Sequence, residues 1–217
     1  DDAGVDEGRN RGILRSAREG IARSASVLVN LPAAASFVAA ARAVPGLGLG
    51  LHLNLTEGTP LVPGGRSLVG PDGRFPPKRE VWRRACAGLL DGDEVRREVE
   101  AQWAALRDLG GVPTHLDGHN HVHLFPGVRG AVLDVVPPGT WVRCGGAGSG
   151  RGAGRTSGDP EPAPADPFGG RAMCGEAFGL RARAELGEGW ERFRRASRFV
   201  GMRLPHGYGP GDLVALI

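Results

Sequence analysis

The feature that most narrows what this chain can fold into lies at residues 114–127, Thr-His-Leu-Asp-Gly-His-Asn-His-Val-His-Leu-Phe-Pro-Gly, which hold four of its six histidines. His115, His119, His121 and His123 share an odd-numbered frame with Asp117. In an extended segment alternate side chains point to one face, so these five groups are expected to line one wall, with Leu116, Gly118, Asn120, Val122 and Leu124 on the other. Neutral imidazole nitrogens beside a carboxylate are what a borderline divalent metal binds, each ligand oriented by an outer partner. A lone histidine is more often a core residue bonded to a backbone carbonyl. Four at period two beside an aspartate point instead to a metal site.

Strand-like and helix-like stretches alternate around this run. Residues 10–23 read as a helix, with Ile13, Leu14, Ala17 and Ile21 on one apolar face. Residues 25–31 form a short strand ended by Pro32, and 33–43 a small-residue helix that stops before Pro45. Residues 47–55 alternate strictly, leucines in one frame and His52 and Asn54 in the other, which makes a second source of ligands. Alone, His52 stays open between a core histidine and a ligand. Residues 61–77 are a Gly/Pro-rich loop with a turn at Gly70-Pro71-Asp72-Gly73. Residues 93–109 are an amphipathic helix: Val95, Val99, Trp103 and Leu106 form the buried stripe, and Glu94, Arg97, Glu98 and Arg107 are expected to face water. This helix reads as core packing without chemistry. A strand starting at Pro113 delivers the histidine run, followed by a helix at 128–135 and a strand at 140–144. Strands alternating with helices, each strand ending in polar residues, predict a parallel β/α architecture.

A chain of 217 residues that is 41% hydrophobic suffices for one α/β domain. Its excess of Gly (37) and Pro (17) falls mostly after Pro137. We therefore expect residues 1–144 to form the N-terminal part of one catalytic domain, 145–190 to be irregular or disordered, and 191–217 to continue the domain in part. The net charge of +3 comes with acidic residues interspersed among the basic ones. With no basic stripe interleaved with aromatics, nucleic-acid binding is not expected. Cys86, Cys144 and Cys174 are widely spaced and include no Cys-x-x-Cys, which argues against a disulfide scaffold or zinc knuckle and fits a reducing, cytoplasmic compartment. The most apolar stretch, 25–44, is broken by Asn30, Pro32 and Arg42, so no membrane span is expected. No charged-then-apolar leader is read at the N-terminus. The chain opens on Asp1-Asp2, which suggests that upstream sequence is missing.

Four blocks carry a resemblance: Asp-Asp-Ala-Gly at 1–4, Asn-Arg-Gly-Ile at 10–13, Gly-Leu-His-Leu-Asn-Leu-Thr-Glu-Gly-Thr-Pro-Leu at 50–61, and the run at 114–127. In order and spacing they resemble the YdjC/ChbG-like carbohydrate deacetylases, densely over residues 1–142. The resemblance implies a distorted (β/α) TIM-like barrel. It also implies removal of acetyl groups from N-acetylated sugars such as chitooligosaccharides with a divalent metal, usually Mg²⁺, Zn²⁺ being the alternative. It maps the metal ligands onto Asp2, His52 and His119 and the general base onto Asp1. Asn54, Asp117, His121 and His123 then become substrate contacts or outer partners of the ligands. The chemistry is coherent: two histidines and a carboxylate leave metal positions open for water and an acetamide oxygen. Asp1 can take the water's proton, and an acid must protonate the departing amine.

The sequence also departs from the family pattern. Ala3 stands where the family has Phe, and the strand that normally precedes the acidic pair is lacking, so nothing is expected to anchor Asp1 and Asp2. Residues 195–204 are similar to a degraded Thr-Ser-Asp-His segment, with Ser197-Arg198 in place of its aspartate. His206, in Pro-His-Gly-Tyr, is a reordered echo of the family's late His-Pro-Gly. These departures predict a member truncated at both ends. The rival readings are a His-x-His bimetallic phosphoesterase using His119 and His121, and an inactive member that binds only metal or sugar. The expected partner is an acetylated oligosaccharide, with no nucleic acid or membrane and with a homodimer as a compatible assembly.

Overall fold

Asp6 opens the first helix, α1 (Glu7–Glu19), by accepting from the backbone N–H of Arg9, which satisfies one of the donors that a helix N-terminus leaves open. The helix starts and ends earlier than its apolar pattern suggested. It buries Leu14 and Ala17, whereas Ile21 falls beyond its end and is 58% exposed. Then follow β1 (Ser24–Val27), α2 (Ala34–Ala41), β2 (Gly48–Leu53), α3 (Lys78–Cys86), α4 (Gly92–Asp108), β3 (Pro113–Gly118), a 3₁₀ segment (His119–Leu124), α5 (Val128–Val135), β4 (Trp141–Val142) and β5 (Arg194–Arg195). This computed structural model describes residues 1–143 and the backbone of Arg194 and Arg195. The stretch at 145–190, the rest of 191–217, Ser197-Arg198 and His206 lie outside the described residues.

The five strands among the described residues run parallel in the order β1-β2-β3-β4-β5, and helices cross over between β1 and β2, β2 and β3, and β3 and β4. The register aligns Val27 with Leu51, Leu51 with Leu116, and Leu116 with Val142. This apolar row is essentially solvent-free, and it fixes the next row, in which His52 sits beside Asp117.

The acidic pair at the chain start is anchored, contrary to expectation. Ala3 bridges to Val27 in parallel; its N–H donates to the Ser26 carbonyl at 3.1 Å and its carbonyl accepts from Leu28 N at 2.8 Å. The segment thus lies alongside β1 through an isolated bridge, with Ala3 fully buried. Gly4 then turns the chain at φ 97°, where a Cβ would stand 2.9 Å from the Leu28 carbonyl oxygen. Only glycine tolerates both the angle and the approach.

α4 buries Val95, Val99, Trp103 and Leu106 as its spacing predicts. Its polar side is not all solvated. Glu98, expected to face water, is fully buried and accepts from Leu61 N and Val62 N. Glu94 accepts from Arg66 N, Ser67 N and Ser67 Oγ. The loop after β2 folds over this side of α4, and its backbone donors need acceptors there. Helical periodicity cannot report a loop that packs on the polar stripe.

Candidate active site

β2 and β3 bring their C-terminal ends together. His52 Nδ1 contacts Asp117 Oδ1, and both residues are buried. Asp117 Oδ2 accepts from Ser26 Oγ at 3.2 Å and from Arg143 Nη2 at 2.6 Å, so the buried carboxylate has partners on both oxygens. Burial alone would raise its pKa. The bond from His52 and the charges of His52 and Arg143 outweigh it and hold Asp117 at about 2.

The other face of His52 meets the chain start. Its Nε2 lies 3.2 Å from Asp2 Oδ1. Burial works against the imidazolium, but bonds to Asp117 and Asp2 raise the His52 pKa. The same Asp2 oxygen lies 2.8 Å from His119 Nδ1, and Arg9 Nη1 is 3.5 Å from Asp2 Oδ2. Contacts with His119 and His52 hold Asp2 well below the usual carboxylate range despite partial burial. Asp2 sits at φ 62°, a left-handed position rare for a residue with a side chain.

His119 is gripped from behind as well. Its Nε2 lies 3.0 Å from Glu57 Oε1, and the Asp2 bond, opposed by burial and aided by Glu57, raises its pKa.

The five-residue polar wall expected over 115–123 does not form. The extended run ends at Gly118, and Asn120 (φ 54°) and His121 (φ 60°) are left-handed within the 3₁₀ segment. The histidines therefore diverge, and His119 is the one of the four that meets Asp2. The His115 ring lies against Gly50, where a Cβ would come within 2.3 Å of it, and its Nδ1 contacts Thr114 Oγ1. His121 is half-buried, with its ring edge-on to His123 at 6.4 Å. Burial pushes both the His115 and His121 pKa values down. His123 is fully buried; its Nε2 donates to the Arg143 carbonyl at 2.7 Å, and burial lowers its pKa to about 4.

Asp1 is held in a fork by Arg143, whose Nη1 and Nη2 donate to Oδ2 and Oδ1 at 2.7 and 2.8 Å, and it also accepts from Ser26 Oγ. Asn54 is buried and spends its polar atoms inside the chain. Its oxygen accepts from Thr56 N, Thr56 Oγ1 and Glu57 N, and its amide donates to Asn30 Oδ1 and the Glu57 carbonyl. It shapes the loop that presents Glu57. Three residues of the constellation escaped the sequence reading: Ser26, Glu57 and Arg143. Glu57 stood inside the 50–61 block. Ser26 and Arg143 carry no local signal, because they reach the site only through sheet order.

Among the described residues two groups have donors close enough to hold a cation, Asp2/His52/His119 and Asp1/His52/Asp117. In the second, the Arg143 guanidinium already bridges Asp1 and Asp117. In the first, each imidazole turns one nitrogen toward Asp2 and is backed by a carboxylate at the other, Asp117 for His52 and Glu57 for His119. That donor set fits a divalent metal.

Fold and site together define a parallel α/β protein with a two-histidine, one-carboxylate donor set at the ends of its strands. The chain belongs to the YdjC-like protein family, whose sequence model matches residues 1–187. It is 39% identical over 130 residues to the chitooligosaccharide deacetylase of Enterobacter sp. (strain 638), covering 59% of this chain and 50% of that one. With the carbohydrate deacetylase of Homo sapiens it shares 43% identity over 134 residues, covering 59% and 41%. The chain spans about half the length of the curated relatives it matches. A solved structure from Enterococcus faecalis V583, named as a candidate cellobiose-phosphate cleavage protein, aligns with a TM-score of 0.58 at 26% identity over 66% of this chain and 56% of that one. Among the described residues no helix is long and apolar enough to cross a membrane.

Proposed function

We propose that the chain is a metal-dependent carbohydrate N-deacetylase that hydrolyses the acetamide of N-acetylated oligosaccharides such as chitooligosaccharides. One observation carries the metal dependence: one nitrogen from each of two imidazoles converges on Asp2 Oδ1, and each ring is backed by a separate carboxylate. Asp2, His52 and His119 would hold the cation, with Mg²⁺ as the first candidate and Zn²⁺ as the alternative. The names of the relatives support the reaction and the sugar substrate. The strictly sequential parallel sheet supports reading the domain as part of a (β/α) barrel.

A bound divalent cation supplies polarisation of the acetamide carbonyl and a water that loses its proton near neutral pH. The chain does the rest. Asp1, adjacent to Asp2 and held by the Arg143 fork, would take the water's proton, and a proton must pass to the departing amine as the C–N bond breaks. Asp117 keeps His52 oriented. The two-metal phosphoesterase reading is disfavoured, because His121 joins neither donor group found among the described residues.

The test is acetate release from N,N′-diacetylchitobiose with Mg²⁺ or Zn²⁺ and with a chelator. Metal-dependent acetate is expected, with Asp1→Asn keeping the cation and losing turnover. Acetate release that survives complete chelation overturns the metal dependence. A bound cation with no acetate from any acetylated sugar favours the inactive binder.

A further inference from the structure

We propose that Glu57 is a positioning residue for His119: its carboxylate accepts a hydrogen bond from Nε2–H, which keeps the ring proton on Nε2 and leaves the Nδ1 lone pair facing Asp2. The proposal rests on the metal-dependent reading above.

A neutral imidazole carries one proton, and the hydrogen bond at one nitrogen decides what the other can ligate. The two rings at this site present opposite nitrogens to Asp2, Nε2 from His52 and Nδ1 from His119. For His52 the choice is made by buried Asp117 at Nδ1. For His119 the acceptor behind the ring is Glu57 Oε1, 3.0 Å from Nε2. Without it, the proton has a ready acceptor on the other side, Asp2 Oδ1 at 2.8 Å from Nδ1. The lone pair would then point away from the donor set.

The chain fixes Glu57 more firmly than a half-exposed loop residue requires. Its N–H donates to Asn54 Oδ1 at 3.1 Å, and its carbonyl accepts from Asn54 Nδ2 at 2.8 Å and from Asn30 Nδ2 at 3.0 Å. The chain turns at once through Gly58, φ 75°, where a Cβ would meet Leu31 Cδ2 at 2.9 Å. Asn120 Nδ2 donates to Thr56 Oγ1 at 3.0 Å, joining this loop to the 3₁₀ segment that carries His119. The Glu57 loop and the His119 segment are thus registered against each other by a cross-link outside the donor set.

The experiment titrates Zn²⁺ into the full chain and into Glu57→Ala, Glu57→Gln and His119→Ala. It also records the tautomer of His119 by ¹⁵N-histidine NMR on metal-free protein at alkaline pH, where the ring is neutral. Glu57→Ala is expected to weaken Zn²⁺ binding by roughly 10- to 100-fold and to move the His119 proton from Nε2 toward Nδ1. Glu57→Gln retains a carbonyl acceptor and is expected to restore the tautomer and most of the affinity, a rescue that a purely structural role does not produce. Unchanged tautomer and affinity in Glu57→Ala overturn the proposal. If the unaltered chain fails to bind Zn²⁺, the metal reading falls, and the tautomer shift still decides the role of Glu57.

Discussion

His52 and His119 face the same oxygen of Asp2, yet they are built in different ways. His52 stands inside β2, and its partner Asp117 stands beside it on β3, fixed by sheet register and closed off from water. His119 stands just past the end of β3, before a left-handed turn, and its partner Glu57 comes from a loop and is half exposed. One half of the site is therefore a property of the sheet, and the other of two loops joined through Thr56 and Asn120. Damage to the first half is expected to cost stability as well as function, and damage to the second to cost function almost alone.

The largest effect should come from His52→Ala. It removes the cation site and also strips buried Asp117 of one partner, leaving Ser26 and Arg143. A loss of about 3 kcal/mol in urea unfolding is expected, at the lower end for a broken buried pair. His119→Ala should lose the cation equally in calorimetry while changing unfolding by less than about 1 kcal/mol, since its partners stay solvated. Equal destabilisation by the two variants would break the division drawn above.

A second test concerns His123, in the same run of residues as His119. His123 is buried neutral with its pKa lowered to about 4, against 6.5 in the unfolded chain. As pH falls below 6.5 the unfolded state takes up the proton first, so the stabilisation present above that pH drains away until about pH 4 and is constant below. The expected loss across this window is about 3 kcal/mol. His123→Leu should flatten that part of the profile of unfolding free energy against pH; an unaltered slope would assign the acid sensitivity elsewhere.

Smaller effects sharpen the same contrast at two glycines. Gly118 ends the ordered strand, and a Cβ there would stand 2.5 Å from His123 Nδ1 and 2.9 Å from its backbone nitrogen. Gly118→Ala is expected to cost about 2 kcal/mol by overpacking, read as a lowered unfolding midpoint. Gly130, on α5, has nothing within 4 Å of its Cβ position. Gly130→Ala should therefore stabilise the protein, by up to about 1 kcal/mol through helix propensity, and leave cation binding unchanged.

These contrasts follow the line between what the sequence made legible and what it did not. The alternating leucines around His52 and the strand entering at Pro113 were readable, because period-two burial is a local property of the chain. So His52 and Asp117 could be named as site residues. The wall beyond Gly118 was misread, because Asn120 and His121 adopt a backbone conformation that no side-chain pattern reports. Glu98 was misread for a related reason: a loop packs on the polar side of its helix and makes a core acceptor of a residue that periodicity assigns to water. Ser26 stands 91 positions from Asp117, and Arg143 stands 142 positions from Asp1. Strand order alone unites them.

Ala3 pairs with β1 only 24 positions away, whereas the fork from Arg143 to Asp1 spans 142 positions and joins the two ends of the described stretch 1–143. Closing so long a loop costs entropy that local contacts do not offset until most of the sheet is assembled. The fork that fixes Asp1 is therefore expected to close late in folding. Cation capture, which needs Asp2 beside His52 and His119, is expected to follow assembly of β1, β2 and β3.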